Sequence, residues 1–192
     1  MEKLTGLKKI KTAVFISGTG SNLKNLIKFS KLRKSPIKIE LVVSTTNSAK
    51  GLKYADQNNI IKKKINFKGN NIIEKDILEI LKKQRIKFIC LAGFMKILSK
   101  NFIKKFDGKI INIHPSLLPR YKGLNTHERA IKNKDKFGGC SVHYVTSKLD
   151  SGKIIMQKKV RINPKDNLIS LAKKVLKQEH KLYPAAILKI FN

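Results

Sequence analysis

The chain has few acidic residues, two cysteines and no tryptophan, and the shortage of cysteine bears on where the protein works. Two cysteines cannot supply the disulfide framework of a small secreted domain. Cys90 lies in the apolar run Phe88-Ile89-Cys90-Leu91-Ala92, where a reduced and buried thiol is the expected state. We therefore expect a reducing compartment, which indicates a cytoplasmic protein.

Long apolar runs are also missing, which argues against a membrane protein. No run approaches the roughly 18 apolar residues of a membrane-spanning helix. Residues 1–9 lack the apolar core of a signal peptide. A hydrophobic content of 41% over 192 residues is typical of a single globular domain with a sizeable core.

Positive charge dominates the composition. Lys and Arg number 43 against 12 Asp and Glu, which gives a formal net charge of +31. Only five of the 43 are arginine, the residue whose planar fork suits nucleic-acid interfaces. Two interpretations stay open: a solvated lysine surface produced by the amino-acid drift of an A+T-rich genome, and a polyanionic partner. We favour the first, expect no nucleic-acid partner, and expect the positive field to attract phosphorylated substrates.

Apolar β-branched runs alternate with helical patterns, which predicts an α/β domain with a mostly parallel sheet flanked by helices. Strands are predicted at 12–17, 37–43, 60–65, 88–92 and 110–114, and helices at 22–30, at 51–58, from Ile72 to before Arg85, and after a Ser99 N-cap. The C-terminal half predicts a helix at 126–132, a hairpin of strands 139–145 and 153–161, a last helix capped by Asp166, and a further helical stretch after Pro184. Ligands of such folds bind beyond the carboxyl ends of the strands.

A glycine-rich turn, Gly18-Thr19-Gly20-Ser21-Asn22, joins the first strand to a helix. Free backbone N–H groups and the helix dipole favour a phosphate at such a position. Leu23 occupies the third glycine position of a dinucleotide fingerprint, and no Gly-Lys-Ser/Thr follows as in a triphosphate loop. The turn therefore indicates either a site for a single phosphomonoester or an ordinary strand–helix turn with Asn22 as its N-cap.

Asn112 and His114 end an apolar strand two residues apart, so both side chains point to the same side. Pro115 then stops the strand. An amide donor and a titratable ring at one strand end could act on one reacting atom. A carboxylate would orient the ring and raise its pKa, and Asp150 in a turn farther along the chain is the candidate. Asp-Ser-Gly is also ordinary turn chemistry, so a purely structural Asp150 stays open.

The segment Leu91 to Leu98 leaves a strand through Gly93 and runs into apolar residues. It is either core or a flat apolar slot that would suit a heteroaromatic ring. The other histidines, His127, His143 and His180, are predicted to be surface, helix or packed strand residues. No His/Cys spacing fits a zinc site, so we expect no metal.

Six short motifs, in one order along nearly the whole chain, resemble those of the formyl-tetrahydrofolate-dependent formyltransferases. They are Ile16-Ser17-Gly18-x-Gly20-Ser21-Asn22-Leu23, Leu91-Ala92-Gly93-Phe94-Met95 with Ile97-Leu98, Asn112 to Pro119, Ser141-Val142-His143, Leu149-Asp150-x-Gly152 and Gln178-Glu179-His180. The resemblance implies a Rossmann-like formyltransferase fold as a single domain over 1–192. A phosphate-binding half would cover about 1–105, and a catalytic and folate-binding half about 106–192.

The resemblance is closest to the members that formylate glycinamide ribonucleotide in de novo purine biosynthesis. It implies that the substrate amine attacks the formyl carbon of the cosubstrate 10-formyltetrahydrofolate. Asn112 and protonated His114 would stabilise the oxyanion of a tetrahedral intermediate, and Asp150 would hold His114 and assist proton relay. Ribonucleotide-binding residues would be Gly20, Ser21, Asn22, Gln178 and Glu179; folate-binding residues would be Met95, Lys96, Ile97, Leu98, Asn112, Thr146 and Asp150.

Two positions depart from the family pattern. Lys96 stands where the family commonly carries Arg, so a planar fork is lost. Near the folate tail, Asn70 replaces a frequent Arg, with Lys68 nearby as a substitute.

Two alternatives compete with this assignment. The related enzymes that formylate methionyl-tRNA share the Asn-His-Asp centre, and a basic surface would suit tRNA. A basic nucleic-acid-binding protein without catalysis is a different class, and it gives no account of the ordered motifs. We expect small-molecule substrates, no membrane partner, and a monomer or weak homodimer.

Overall fold

The computed structural model describes residues 8–46, 48–64 and 71–191, which form seven strands and six helices. The strands are β1 (Ile10–Ile16), β2 (Ile37–Ser44), β3 (Ile61–Lys64), β4 (Phe88–Leu91), β5 (Lys109–His114), β6 (Phe137–Tyr144) and β7 (Ile154–Arg161). The helices are α1 (Ser21–Lys31), α2 (Leu52–Asp56), α3 (Asn71–Lys83), α4 (Lys100–Lys105), α5 (Thr126–Lys132) and α6 (Leu168–Phe191). The predicted alternation of strands and helices is therefore confirmed, with boundaries shifted by a few residues.

The chain divides into two compact units. Unit 1 contains the described residues up to Lys96 together with Lys105–Lys109 and Phe191, and unit 2 contains Ile97–Lys104 and Ile110–Ile190. Among the described residues, no helix combines the length and the apolar character that crossing a membrane requires.

Unit 1 is built on parallel strands in the order β3-β2-β1-β4. Residues 12–16 of the central strand β1 are all buried, because a strand inside a parallel sheet has both faces covered. At the edge, all four residues of β3 are exposed and three of them are lysine, a composition that discourages pairing with another chain. The turns after β1, β2 and β4 follow the carboxyl ends of these strands, where a ligand is expected.

Unit 2 contains the antiparallel order β5-β6-β7. Strands β6 and β7 form the predicted hairpin, whose connecting turn carries Asp150. The buried side chains of α6 that face the core of this unit include Leu171, Val175 and Tyr183. The Tyr183 hydroxyl donates to the Ile111 carbonyl at 3.3 Å, which ties α6 to the strand that ends in His114.

Two predictions about the last helix are wrong. The helix runs through Pro184 without a break. Burial of Tyr183 and Ala186 on either side of the proline offsets the lost backbone hydrogen bond. The N-cap is Asn167, whose Oδ1 accepts from the Ser170 N–H at 2.9 Å. Asp166 lies one residue too early, and its carboxylate accepts instead from the Ser170 hydroxyl at 2.8 Å.

Candidate active site

The carboxyl end of β5 presents Asn112 and His114 to one side of unit 2. In the antiparallel register Asn112 lies opposite His143, and His114 lies opposite Ser141. Asn112 is half-buried, whereas His114 is only 6% exposed. An amide and an imidazole are therefore held two residues apart on a rigid strand, as predicted.

The chain that follows His114 is fixed to β6 and β7 by Ser141 and Gln157. The Ser141 hydroxyl donates to the Ser116 carbonyl at 2.6 Å and accepts from the Leu118 N–H at 3.0 Å. Gln157 Nε2 donates to the same hydroxyl and to the Leu118 carbonyl, both at 2.8 Å. This network sets the path of the backbone immediately after the imidazole.

Asp150 reaches this strand end from the hairpin turn. Its Oδ2 lies 3.3 Å from His114 Nδ1 and accepts from the Gly123 N–H at 2.9 Å. Its Oδ1 lies 3.5 Å from both Asn112 Nδ2 and His143 Nε2. The backbone of Asp150 is left-handed, with φ of 44°, a conformation that Asp and Asn adopt more readily than most residues. The structure thus brings the three predicted catalytic side chains together.

Both ring nitrogens of His114 face hydrogen-bond acceptors. Nε2 donates to the Tyr121 carbonyl at 2.8 Å, and Nδ1 faces Asp150. Burial lowers the pKa of His114 by more than the Tyr121 carbonyl and the charge of Asp150 raise it. The predicted effect of the carboxylate is present, since the charge of Asp150 raises the pKa of His114, but burial of the ring lowers it by more. The ring is neutral near pH 7, because its pKa lies below the ordinary value of 6.5.

Asp150 is ionised in the same environment. Burial raises the pKa of its carboxyl, but three effects together lower it by more: the His143 ring, the Gly123 N–H, and the charge that His114 carries at the acidic pH where a carboxyl titrates. The cluster therefore combines a carboxylate with a neutral imidazole that can take up a proton.

His143 orients the Asn112 amide. His143 Nδ1 donates to the Tyr144 carbonyl at 2.9 Å, which fixes the ring. Its Nε2 lies 3.3 Å from Asn112 Nδ2 and 3.5 Å from Asp150 Oδ1. The prediction that His143 packs within its strand is confirmed by its 2% exposure, but its contact with Asn112 was not foreseen.

The glycine-rich turn of unit 1 leads into α1 as predicted, although its cap differs. Gly20 is the N-cap, with φ of 75°, and Asn22 lies inside the first helical turn, so the prediction of Asn22 as N-cap is wrong. A Cβ on Gly20 would lie 2.5 Å from the Gly51 Cα, which explains why glycine is required. The first turn of α1 contains no acidic residue, so the positive end of the helix dipole is available to an anion.

Ser17 holds the segment that was predicted to form a ring-binding slot. Its Oγ accepts from the Met95 N–H at 2.9 Å and from the Thr45 hydroxyl at 2.8 Å. Its own N–H donates to the Gly93 carbonyl at 3.0 Å. The Met95 side chain remains 67% exposed, so the backbone of this segment is fixed while the side chain can meet a ligand.

The remaining predicted residues differ in accessibility. Lys96, Ile97 and Thr146 are exposed, whereas Leu98 is only 3% exposed. Gln178 is half-buried and Glu179 is buried. Burial, with a smaller effect of the Glu179 charge, raises the pKa of the Cys140 thiol to about 12.

Two further predictions concern the folate tail and a metal. Asn70 and Lys68 lie outside the described residues, so the departure near the folate tail has no structural description. In the described part of the chain, no group of three His, Cys, Asp or Glu residues is placed to hold a metal ion.

Sequence reasoning missed four residues that contact predicted site residues. They are Ser17, Tyr121, Gly123 and His143. Tyr121 and Gly123 act through backbone groups, and His143 acts through cross-strand register. Backbone contacts and cross-strand register leave no signal in a single sequence. The position of Ser17 directly before the glycine-rich turn was the one signal that could have indicated it.

The fold and this cluster define a group-transfer enzyme, and the chain belongs to the formyl transferase family. The model of that family, described as "Formyl transferase", matches residues 10–187. The chain is 41% identical, over 92% of its length and 85% of the relative's, to the phosphoribosylglycinamide formyltransferase of Haemophilus influenzae. It is also 43% identical to the human trifunctional purine biosynthetic protein adenosine-3, but it spans only 18% of the length of that relative.

Solved structures of similar sequence have the same fold. The phosphoribosylglycinamide formyltransferase of Brucella melitensis is 40% identical, with a TM-score of 0.89 over 95% of this chain and 96% of that one. The enzyme of the same name from Bacillus halodurans gives a TM-score of 0.90 at 33% identity, over 95% of each chain. The predicted fold class, an α/β domain with a mostly parallel sheet and a C-terminal hairpin and helix, is confirmed.

Proposed function

We propose that the chain transfers the formyl group of 10-formyltetrahydrofolate to the amine of 5'-phosphoribosylglycinamide in de novo purine biosynthesis. The observation that carries the proposal is the cluster of Asn112, His114 and Asp150 at the end of β5, with His114 Nδ1 3.3 Å from the carboxylate. Support for this acceptor comes from the relatives named phosphoribosylglycinamide formyltransferase, which the chain matches over most of their length.

Asn112 and His114 supply the donors for an oxyanion. Attack of the amine on the formyl carbon places negative charge on the formyl oxygen, and preorganised donors at that point contribute on the order of 10²–10³ in rate each. In the free protein the Asn112 amide contacts His143, and the substrate exchanges that contact for its own. His114 keeps the Tyr121 carbonyl on Nε2, so its Nδ1, once protonated, donates to the oxyanion beside Asp150. Because the oxyanion is negative, it favours uptake of a proton by the His114 ring.

Asp150 serves the proton balance of the reaction. A C–N bond forms to the acceptor amine, the C–N10 bond of the folate breaks, and one proton moves from the amine to N10. Asp150 remains ionised, so it can accept that proton or hold a water molecule that relays it. Its contact with His114 Nδ1 stabilises the protonated ring while the intermediate exists.

Binding residues are assigned to each substrate. In unit 1, Gly20, Ser21 and Asn22 would hold the ribonucleotide phosphate at the N-terminus of α1, where no acidic residue opposes it. In unit 2, Gln178 and Glu179 would contact the ribose or the glycinamide end. The folate would contact Met95, Lys96, Ile97, Leu98, Asn112, Thr146 and Asp150. In this proposal a phosphate-binding half covers about 1–105, and a catalytic and folate-binding half covers about 106–192.

The composition of the chain supports a cellular compartment and a class of partner. The two free, buried cysteines fit a reducing compartment such as the cytoplasm. A net charge of +31, carried mainly by lysine, favours the approach of anionic small molecules. We infer that the protein acts on small molecules as a monomer or weak homodimer, without a nucleic-acid partner.

A comparison of acceptors tests the proposal. Purified protein is mixed with 10-formyltetrahydrofolate and either 5'-phosphoribosylglycinamide or methionyl-tRNA, and tetrahydrofolate release is followed by absorbance. We expect release only with the ribonucleotide, and none with the His114→Ala variant. Release with methionyl-tRNA alone would show that the acceptor is wrong, and release with neither would remove the proposed activity.

A further inference from the structure

The loop between β5 and α5 contacts both members of the catalytic pair through its backbone. The Tyr121 carbonyl accepts from His114 Nε2 at 2.8 Å, and the Gly123 N–H donates to Asp150 at 2.9 Å. The first of these distances is shorter than the 3.3 Å between His114 Nδ1 and Asp150. The direction of the imidazole therefore depends on where the loop places one carbonyl oxygen.

This part of the loop has an unfavourable backbone conformation. Tyr121 has φ of 54°, Gly123 has φ of 76° and Asn125 has φ of 57°. A left-handed conformation is rare for a bulky residue such as tyrosine, and it persists only when surrounding contacts enforce it. The position of the Tyr121 carbonyl must therefore be set by contacts outside the backbone itself.

The side chain of Tyr121 supplies those contacts at its hydroxyl. The hydroxyl donates to Asp135 Oδ2 at 2.7 Å and accepts from Arg120 Nη2 at 3.0 Å and from Asn133 Nδ2 at 2.9 Å. The Asp135 side chain is only 8% exposed and also pairs with Arg120 at 2.8 Å. A nearly buried carboxylate is thus the fixed point to which the tyrosine is bound.

The ring of Tyr121 is held as well. The guanidinium carbons of Arg120 and Arg129 lie 5.0 and 4.9 Å from its centroid, within the range of cation–π contacts. Arg129 Nη1 also donates to the Lys122 carbonyl at 2.8 Å. The hydroxyl, the ring and the next peptide group are therefore all fixed by side chains that do not contact His114.

We propose that Tyr121 is a positioning residue that aims the His114 imidazole through its backbone carbonyl, with Asp135 as its anchor. The kinetic part of the inference rests on the proposed formyl transfer. Tyr121 acts on the ring that stabilises the oxyanion, so its loss affects the chemical step rather than the affinity for either substrate.

Two substitutions test the link. Tyr121→Phe removes the hydroxyl but keeps the ring and the carbonyl, and Asp135→Asn removes the charge of the anchor. We expect each to lower kcat about tenfold, as the loss of one hydrogen bond to a charged group implies, with both KM values within about twofold. The double variant should be no slower than either single variant, because both changes break one link. Asp107→Asn, which removes an exposed carboxylate paired with Lys87 in unit 1, is the matched control and should keep wild-type kcat.

A proton NMR measurement tests the same link without catalysis. The Nε2 proton of His114 donates to the Tyr121 carbonyl in a buried site, so it should give a slowly exchanging signal that His114→Gln removes. In Tyr121→Phe and in Asp135→Asn we expect this signal to exchange faster with water, and in Asp107→Asn to stay unchanged. Circular dichroism confirms that each variant is folded.

The outcomes separate this inference from the proposed function. Wild-type kcat in both variants, a loss confined to KM, or an unchanged Nε2 proton signal would each overturn the positioning role. If the wild-type protein transfers no formyl group but the signal responds as expected, the positioning role stands and the proposed function falls.

Discussion

Asp150→Asn is the most informative single substitution, because it removes the charge at the centre of the site and keeps the size of the side chain. Asn adopts the left-handed conformation of this position, where φ is 44°, as readily as Asp does. The two carboxylate oxygens face the Gly123 N–H on one side and the Asn112 amide on the other. Whichever oxygen becomes an NH2 group, that group points at another donor.

The size of the effect follows from the hydrogen bonds that depend on the charge. A hydrogen bond to a charged group contributes about 1.5–3 kcal/mol, and 1.4 kcal/mol corresponds to about a factor of ten in rate. Loss of the carboxylate's contact with protonated His114 should therefore lower kcat roughly 10- to 150-fold. Without the Asp150 charge, which raises the pKa of His114, the ring also protonates less readily when the oxyanion forms.

The assay is tetrahydrofolate release at saturating concentrations of both substrates, from pH 6 to pH 9. KM for each substrate should stay within about threefold of the wild-type value, because Asp150 acts on the intermediate. The Asp107→Asn variant again serves as the control for removal of a carboxylate. A kcat within twofold of wild type at every pH, or a loss that lies wholly in KM, would refute the coupling of Asp150 to His114.

Two further predictions concern the glycine-rich turn and the stability of the protein in acid. Gly20→Ala should destabilise the protein by about 1–3 kcal/mol, since the new Cβ would lie 2.5 Å from the Gly51 Cα. It should also raise KM for the ribonucleotide more than KM for the folate. Thermal melting measures the loss of stability, and steady-state kinetics measure the two KM values. Gly18→Ala is the stability control, because a Cβ there meets no atom within 4 Å, and equal melting temperatures for the two variants would contradict the argument. Burial lowers the pKa of His114, His127 and His180, so below pH 6.5 the unfolded chain binds more protons at these sites than the folded one. The stability that the neutral histidines contribute is thus complete above pH 6.5 and declines as the pH falls through the lowered pKa values. In urea melts, the free energy of unfolding should therefore lose the histidine contribution on acidification, and this loss should be smaller in His114→Gln. The same dependence of the free energy of unfolding on pH in that variant and in the wild type would refute the argument.

The part of the site that follows strand periodicity could be predicted from the sequence. Asn112 and His114 are two residues apart on a strand, and that spacing places them on one face. The strand ends and the glycine-rich turn were likewise predictable, because apolar runs and glycine have direct local consequences. Pairing across strands has no such local signal, so the contact of His143 with Asn112 appeared only in the structure.

The errors have physical reasons of a similar kind. The effect of the Asp150 carboxylate on the pKa of His114 was predicted, but the larger and opposite effect of burying the ring was not. Pro184 was expected to interrupt a helix because local geometry was considered without the packing of Tyr183 and Ala186. Tyr121 could not be recognised, because its contact with His114 is made by a carbonyl group that every residue carries.

The most direct test of the account is a single-turnover experiment with formyl-labelled 10-formyltetrahydrofolate. Wild-type protein should move the label to the amine of 5'-phosphoribosylglycinamide, whereas His114→Ala, folded by circular dichroism, should be slower by a factor on the order of 10²–10³ or more. Label transfer at the wild-type rate by His114→Ala, or no transfer to the ribonucleotide by the wild-type protein, would contradict the central claim.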